Sequence, residues 1–129
     1  MLSRGYLWIV GLAYAGLGLF CLFRPLRAAE SVGFDLVTRS ARIEFATFYG
    51  GGMLALAAVF LIGGTAKRWT EAVCLFSLGF HLLLAFVRGF WALALHPDQG
   101  STIFYLIVEI VLAAGAAVVL RPFWKRILA

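Results

Sequence analysis

The hydrophobic positions of this chain form four long segments, residues 6–23, 45–63, 72–95 and 101–120, separated by shorter polar stretches. Each segment has about the 17–25 residues that an α-helix needs to cross roughly 30 Å of hydrocarbon. A membrane β-barrel would require shorter segments in which apolar and polar residues alternate. The pattern therefore predicts an all-α integral membrane protein, a four-helix bundle with antiparallel up-down topology.

Composition agrees with this interpretation. Of the 129 residues, 64% are hydrophobic and 13% are charged, whereas soluble domains are about half apolar and about a quarter charged. The four segments leave no room for a soluble domain, so residues 1–129 are expected to form one domain. The first segment also resembles a signal peptide, since Arg4 precedes it. Its apolar run is too long, however, and Arg24, Pro25 and Arg27 occupy the place of a cleavage site.

The connection between the first two segments, residues 24–43, is the only long one. Pro25 is expected to end the first helix, and the stretch LRAAESVG to form one or two turns of a short interfacial helix. Thr38 or Ser40 is placed to cap the second spanning helix. Because the other connections are short, consecutive helices are expected to pack as antiparallel neighbours.

The net charge of +5 has a membrane explanation, because Lys and Arg at helix ends set topology and meet anionic headgroups. No nucleic-acid partner is expected. With four spans both termini share one side, and that side holds more basic residues. We predict a bacterial inner-membrane protein with both termini in the cytoplasm. The terminal side holds Arg4, Lys67, Arg68, Arg121, Lys125 and Arg126, and the opposite side holds Arg24, Arg27, Arg39 and Arg42.

Small residues recur at helical spacing on two segments, as is typical of closely packed membrane helices. Tyr49 is followed by three glycines, which suggest a close crossing, a kink, or a ligand lying against the backbone. We expect Gly51 to contact a neighbouring helix. The first stripe comprises Gly11, Ala15 and Gly18, and the second comprises Thr47, Gly51, Ala55 and Ala58, on the face that carries Glu44.

Ionisable residues lie within or at the edge of three spans: Glu44, His81, Arg88 and Glu109. Charges at membrane depth cost a few kcal/mol each and usually face a partner or a cavity. At 1.5 Å per residue, Arg88 is roughly 10 Å from the end of its segment and Glu109 roughly 12 Å from the start of its own. Their segments are antiparallel neighbours. The sequence therefore predicts an Arg88–Glu109 pair, with Glu44 at a shallower level and a Tyr105 hydroxyl nearby.

The third segment carries a polar stripe, since Cys74, Ser77, His81 and Arg88 share one helical face. Cys21 and Cys74 lie near opposite ends of their spans, too far apart for an intrachain disulfide. Both cysteines are expected to serve packing.

Several of these residues together resemble a known family. The stretch RIEFATFYGGG, the early segment RGYLW, the pair Arg88-Gly89 and Glu109 midway along the last helix are similar to the bacterial family catalogued as domain of unknown function 4345. The resemblance covers essentially the whole chain. It implies a four-helix integral membrane protein that keeps these polar positions, and it implies no activity. His81 has no clear counterpart in the family pattern.

Each residue also has a purely structural interpretation. The Arg88–Glu109 pair alone can fix helix register, and Glu44 beside Arg42 can sit at the positive end of a helix. His81 can be a hydrogen-bonded interior histidine. His96 and Asp98 fit a solvated turn.

The leading functional hypothesis is binding or transport of a small amphiphilic or anionic, lipid-like ligand. Arg88 would anchor the anionic group, and one carboxylate would take up a proton as the ligand binds. Four helices make a small pathway, so a transporter of this size is expected to form a homo-oligomer. The pocket is expected to open to the outer face, with a lining of Glu44, Arg88, Tyr105 and Glu109. The expected ligand-binding residues also include Tyr49, Gly51 and His81.

Two alternatives remain open. The protein can be a non-catalytic structural or accessory subunit, in which the pair only fixes packing. It can also be an intramembrane enzyme that acts on a lipid or quinone, although no nucleophile or metal-ligand spacing is recognisable. No cofactor is expected, because bis-histidine haem would need a second membrane histidine besides His81. Membrane lipids are the expected partners.

Overall fold

Five α-helices form nearly all of the ordered architecture in a computed structural model, which describes residues 1–96 and 100–124. Four of them are long and apolar enough to cross a membrane, so the predicted all-α bundle of a multi-pass membrane protein is confirmed. Asp98, Lys125 and Arg126, used above for the turn and the topology, lie outside the described residues. The helices are α1 (Leu2–Phe23), α2 (Pro25–Ser31), α3 (Arg39–Thr65), α4 (Thr70–Leu95) and α5 (Gly100–Leu120).

The ends of α1 and α3 follow from local sequence. Helix α1 ends at Phe23, and Arg24 leaves helical geometry with φ −134° and ψ 53°, because a residue that precedes a proline is disfavoured in the α region. The side chain of Thr38 accepts a hydrogen bond from the Ala41 amide at 3.0 Å. The prediction of a cap is thus confirmed for Thr38.

Helix α2 confirms the short helix predicted between the first two spans. Its Ala28 and Ala29 are buried and pack in a small apolar cluster with Cys21 and Phe45. The connection therefore covers one end of the bundle.

The long helices pair as two hairpins, α1 with α3 and α4 with α5, and α1 lies against both helices of the second hairpin. Near the start of α1, the Arg4 guanidinium donates to the carbonyls of Gly64 (2.7 Å) and Thr65 (3.0 Å) at the end of α3. The Ser3 hydroxyl donates to the Val119 carbonyl at the end of α5. The beginning of α1 and the end of α5 thus lie at the same end of the bundle, as the up-down topology requires.

Close approach of α1 and α3 depends on the predicted glycine stripe of α1. A Cβ added at Gly11 would lie 2.8 Å from the Leu61 side chain. A Cβ added at Gly18 would lie 3.0 Å from the Gly50 carbonyl oxygen and 3.0 Å from the Leu54 amide. The backbones therefore touch at Gly18, as in other closely packed membrane helices.

The contact with a neighbouring helix that was predicted for Gly51 on α3 is wrong. Gly51 is exposed and no atom lies within 4 Å of a Cβ built on it, whereas a Cβ on Gly50 would meet the Leu22 backbone at 3.2 Å. The residues Ala46 to Gly51 form a π-helical segment, a form that usually occurs as a single wide turn within an α-helix. The other members of the predicted stripe, Thr47, Ala55 and Ala58, are exposed as well. The residues predicted to share the face of Glu44 therefore do share one face, but that face points outward instead of meeting a neighbouring helix.

Candidate functional site

Arg88 of α4 and Glu109 of α5 form the predicted ion pair. Arg88 Nε donates to both carboxylate oxygens of Glu109 at 3.0 Å, and Nη2 donates to Oε1 at 2.7 Å. The Glu109 side chain is 8% exposed and that of Arg88 is 34% exposed. The carboxylate is therefore enclosed, while part of the guanidinium faces outward. Hydrogen bonds between two charged groups, made through two donor atoms, are stronger than those between neutral groups.

The outward edge of the Arg88 guanidinium has N–H donors that no described residue accepts from. Among the described residues, no acceptor meets Arg88 Nη1. In the described residues, every buried side-chain nitrogen or oxygen has a hydrogen-bond partner. Because Nη1 has none, this atom is not buried. The guanidinium carbon lies 5.6 Å from the Tyr105 ring centroid, within cation–π range. Tyr105 thus meets Arg88 through its ring, rather than through the hydroxyl that the sequence suggested.

Two adjoining cavities meet at Arg88. The first, called here the Arg88 cavity, has a volume of about 340 Å³ and lies between α1, α2, α3, α5 and the arginine. The second, the side cavity, has a volume of about 570 Å³ and lies along the end of α4. Four residues line both: Phe34, Tyr49, Arg88 and Thr102.

The lining of the Arg88 cavity combines one cation with hydroxyl groups and apolar side chains. Arg88 is its only charged residue among those the structure describes. Predicted residues Tyr49 and Tyr105 are part of the wall, whereas Glu109 lies behind Arg88 and lines neither cavity. The hydroxyl-bearing residues of the wall are Ser31, Tyr49, Ser101, Thr102 and Tyr105.

Glu44 does not share this pocket, contrary to the prediction. It is exposed and lines a separate groove of about 920 Å³ on the outer surface of α3. Three residues, Phe45, Tyr49 and Met53, line both the groove and the Arg88 cavity. The groove and the Arg88 cavity therefore adjoin at these side chains, but Glu44 and Arg88 line no common cavity. Gly51 lines none of the cavities described here.

His81 belongs to the interior of the bundle and lines none of these cavities. It is fully buried, with Nδ1 2.7 Å from the Ser77 carbonyl oxygen and Nε2 3.1 Å from the Tyr14 hydroxyl. A carbonyl can only accept, so Nδ1 carries the hydrogen, and in the neutral ring Nε2 accepts from Tyr14. Both ring nitrogens are thereby satisfied. This geometry supports the interpretation of His81 as an interior histidine.

The hydrogen bonds of His81 continue across the bundle. Ser77 Oγ lies 3.2 Å from His81 Nδ1 and 2.8 Å from the Tyr6 hydroxyl. The Tyr6 hydroxyl donates to the Leu112 carbonyl at 2.8 Å, so it accepts from Ser77. These hydrogen bonds link α1, α4 and α5, and each group donates to the next one along the path from Tyr14 to Leu112. Ser77 and His81, two residues of the polar stripe on α4, therefore serve to hold the helices together.

The sequence interpretation missed Tyr6 and Tyr14, although a signal was present. Both tyrosines lie on one face of the apolar α1, and a buried tyrosine hydroxyl usually finds a polar partner. The polar stripe of α4 was the obvious candidate. Ser31, Phe34 and Thr102 were also missed, because their place in the wall depends on how the α1–α3 connection folds over the bundle.

Metal chemistry finds no support in the described chain, where no three His, Cys, Asp or Glu residues are grouped so as to hold an ion. Cys21 and Cys74 are free and buried. Comparisons with protein-family models, curated proteins and solved structures give no match to this chain. The resemblance to domain of unknown function 4345 stays a prediction.

Proposed function

We propose that the protein binds a small amphiphile with an anionic headgroup, held at Arg88. The observation that carries the proposal is the unpartnered Nη1 edge of a guanidinium that already neutralises Glu109 and borders two cavities. Arginine offers five N–H donors in a planar fork. An incoming carboxylate or phosphate can therefore bind the free edge while the Glu109 pair stays intact.

The cavities suit the two ends of such a ligand. Volumes of about 340 and 570 Å³ fall within the roughly 300–1,000 Å³ that is usual for small-molecule sites. The hydroxyls near Arg88 provide hydrogen bonds for the headgroup. The side cavity is bordered by Val87 and Trp91, which are 45% and 54% exposed. This opening gives an alkyl chain a route toward the lipid.

The test is binding of dodecanoate, with dodecanol as its uncharged counterpart, measured by native mass spectrometry in a mild detergent. Arg88→Lys keeps a cation beside Glu109 but removes the planar fork, so dodecanoate affinity is expected to fall at least tenfold. Thr102→Val removes a wall hydroxyl without changing shape, and a several-fold loss is expected.

The matched control for this experiment is Thr47→Val, which makes the same change on an exposed position outside both cavities. Its dodecanoate affinity is expected to equal that of the wild type. Equal binding of dodecanoate and dodecanol, or wild-type affinity in Arg88→Lys, would refute an anion site at Arg88.

For localisation, we propose a bacterial inner membrane with both termini in the cytoplasm, supported by the basic residues at the terminal side. Val37 is 76% exposed and lies between α2 and α3, at the end opposite the termini. A cysteine at Val37 is expected to react with an impermeant maleimide in intact cells, and one at Thr65 only after permeabilisation. Neither change alters the basic residues, and the native cysteines are buried. The reverse labelling pattern would invert the topology.

A structural role is the second candidate, favoured by the three short contacts between Arg88 and Glu109. In this alternative the pair fixes the register of α4 against α5 in an accessory subunit or homo-oligomer. The Arg88→Lys experiment separates the two functions, since a structural role predicts unchanged dodecanoate binding in a stably folded variant.

A further inference from the structure

The groove on the outer surface of α3 differs from the Arg88 cavity in charge. Its volume is about 920 Å³, and Glu44 is the only charged residue among those that line it. Phe45, Tyr49 and Met53 line both the groove and the Arg88 cavity. Two compartments with charges of opposite sign therefore lie on the two sides of α3.

The Glu44 carboxylate has no partner in the described chain. It makes no hydrogen bond or ion pair with any described residue, and it is exposed. Arg42, two residues earlier, directs Nε to the Leu36 carbonyl instead. The helix dipole of α3 stabilises the Glu44 carboxylate little, because its effect fades beyond the first turn. Glu44 lies after that turn, which contains no acidic residue. A carboxylate in an apolar groove usually faces a charge or a cavity.

Aromatic rings stand beside the carboxylate. Phe45 and Tyr49 are stacked, with ring centroids 4.6 Å apart and an interplanar angle of 17°. Phe48 also lines the groove and is 71% exposed. Aromatic faces attract ammonium groups, most strongly where water is excluded. The exposed Phe48 ring and the Glu44 carboxylate therefore offer an aromatic face and a negative charge within one groove.

Small residues form the floor of the groove on the C-terminal side of Glu44. No atom lies within 4 Å of a Cβ built on Gly52, and Ala55 follows one turn later. The lining continues to Val59, roughly 20 Å along the helix from Glu44 at 1.5 Å per residue. An alkyl chain can therefore lie along α3 with its charged end at Glu44.

We propose that this groove binds a single-chain lipophilic ammonium, with the ammonium at Glu44 and the alkyl chain along Gly52 and Ala55. The order of charges along α3 argues for this ligand over a zwitterionic phospholipid. Arg39 and Arg42 precede Glu44 and lie nearer the start of the helix. In a phospholipid the phosphate is deeper than the ammonium, which is the opposite order. A cation attached directly to its chain has no such conflict.

The experiment measures equilibrium binding of decyltrimethylammonium to the purified protein in maltoside micelles, with empty micelles subtracted. Decanol is the uncharged probe of equal chain length. Glu44→Gln is expected to lower the affinity for the ammonium about tenfold and to leave decanol binding unchanged. Gly52→Leu fills the groove, so it is expected to weaken binding of both probes.

Gly51→Leu is the matched control. A Cβ on either glycine meets open space, but only Gly52 lines the groove, so Gly51→Leu is expected to bind both probes as the wild type does. Wild-type ammonium affinity in Glu44→Gln or Gly52→Leu would overturn the proposal. Displacement of the probe by equimolar phosphatidylethanolamine would overturn the assignment to a single-chain cation.

Discussion

Replacing Arg88 by glutamine is expected to lower the free energy of unfolding by about 3–5 kcal/mol, the range found when one partner of a buried pair is removed. The reason is that Glu109, 8% exposed, is left charged in an apolar interior. Glu109→Gln is expected to cost less, because Arg88 is 34% exposed and faces a cavity. The double variant is expected to recover much of the loss, since two glutamines can hydrogen-bond across the same gap.

This prediction is checked with a double-mutant cycle, by denaturant unfolding of the purified protein in detergent micelles. Arg27→Gln, at an exposed position of α2, controls for the loss of a positive charge and is expected to change stability by less than about 0.5 kcal/mol. If the two single losses simply add in the double variant, the side chains are not energetically coupled, and the prediction of a stabilising ion pair is refuted.

Gly18→Ala is expected to destabilise the bundle by about 1–3 kcal/mol, as overpacking of a filled interior usually does. The added Cβ would lie 3.0 Å from backbone atoms of Gly50 and Leu54. Backbone cannot rotate aside, so α1 and α3 must separate. Gly16→Ala is the matched control, because the same methyl group meets nothing within 4 Å and alanine is the better helix former.

Thermal unfolding in detergent distinguishes the two variants. Gly16→Ala is expected to melt at or slightly above the wild-type temperature, and Gly18→Ala several degrees below it. Equal melting temperatures for both variants would mean that α1 and α3 do not touch at Gly18. On the same grounds, Gly51→Leu is expected to leave stability unchanged, which reverses the expectation from sequence.

The Arg88–Glu109 pair could be predicted because its geometry depends on few quantities. A short connection makes α4 and α5 antiparallel neighbours, and a constant rise per residue then puts the two charges at a common depth. The stripe of Cys74, Ser77 and His81 could be predicted equally well, because α4 is one regular α-helix from Thr70 to Leu95.

The surroundings of Glu44 could not be predicted in the same way. The periodicity of α3 groups Glu44 with the small residues Gly51 and Ala55 on one face, and all of them are exposed. Periodicity alone does not show whether such a face meets a neighbouring helix or points outward. The Arg88 cavity depends on the path of residues 24–38, whose packing is decided by long-range contacts. The residues that carry charge were therefore identified, whereas their division between two sites was not.

The location of both buried charges within the α4–α5 hairpin has a consequence for biogenesis. An arginine or a glutamate that enters the bilayer on an isolated helix costs about 2.5–3.5 kcal/mol on insertion scales. A hairpin that leaves the translocon with both helices together delivers a neutral, hydrogen-bonded couple instead. The nascent chain then has no need of α1 or α3 to shelter either charge. The α4–α5 hairpin is thus suited to enter the bilayer as one unit.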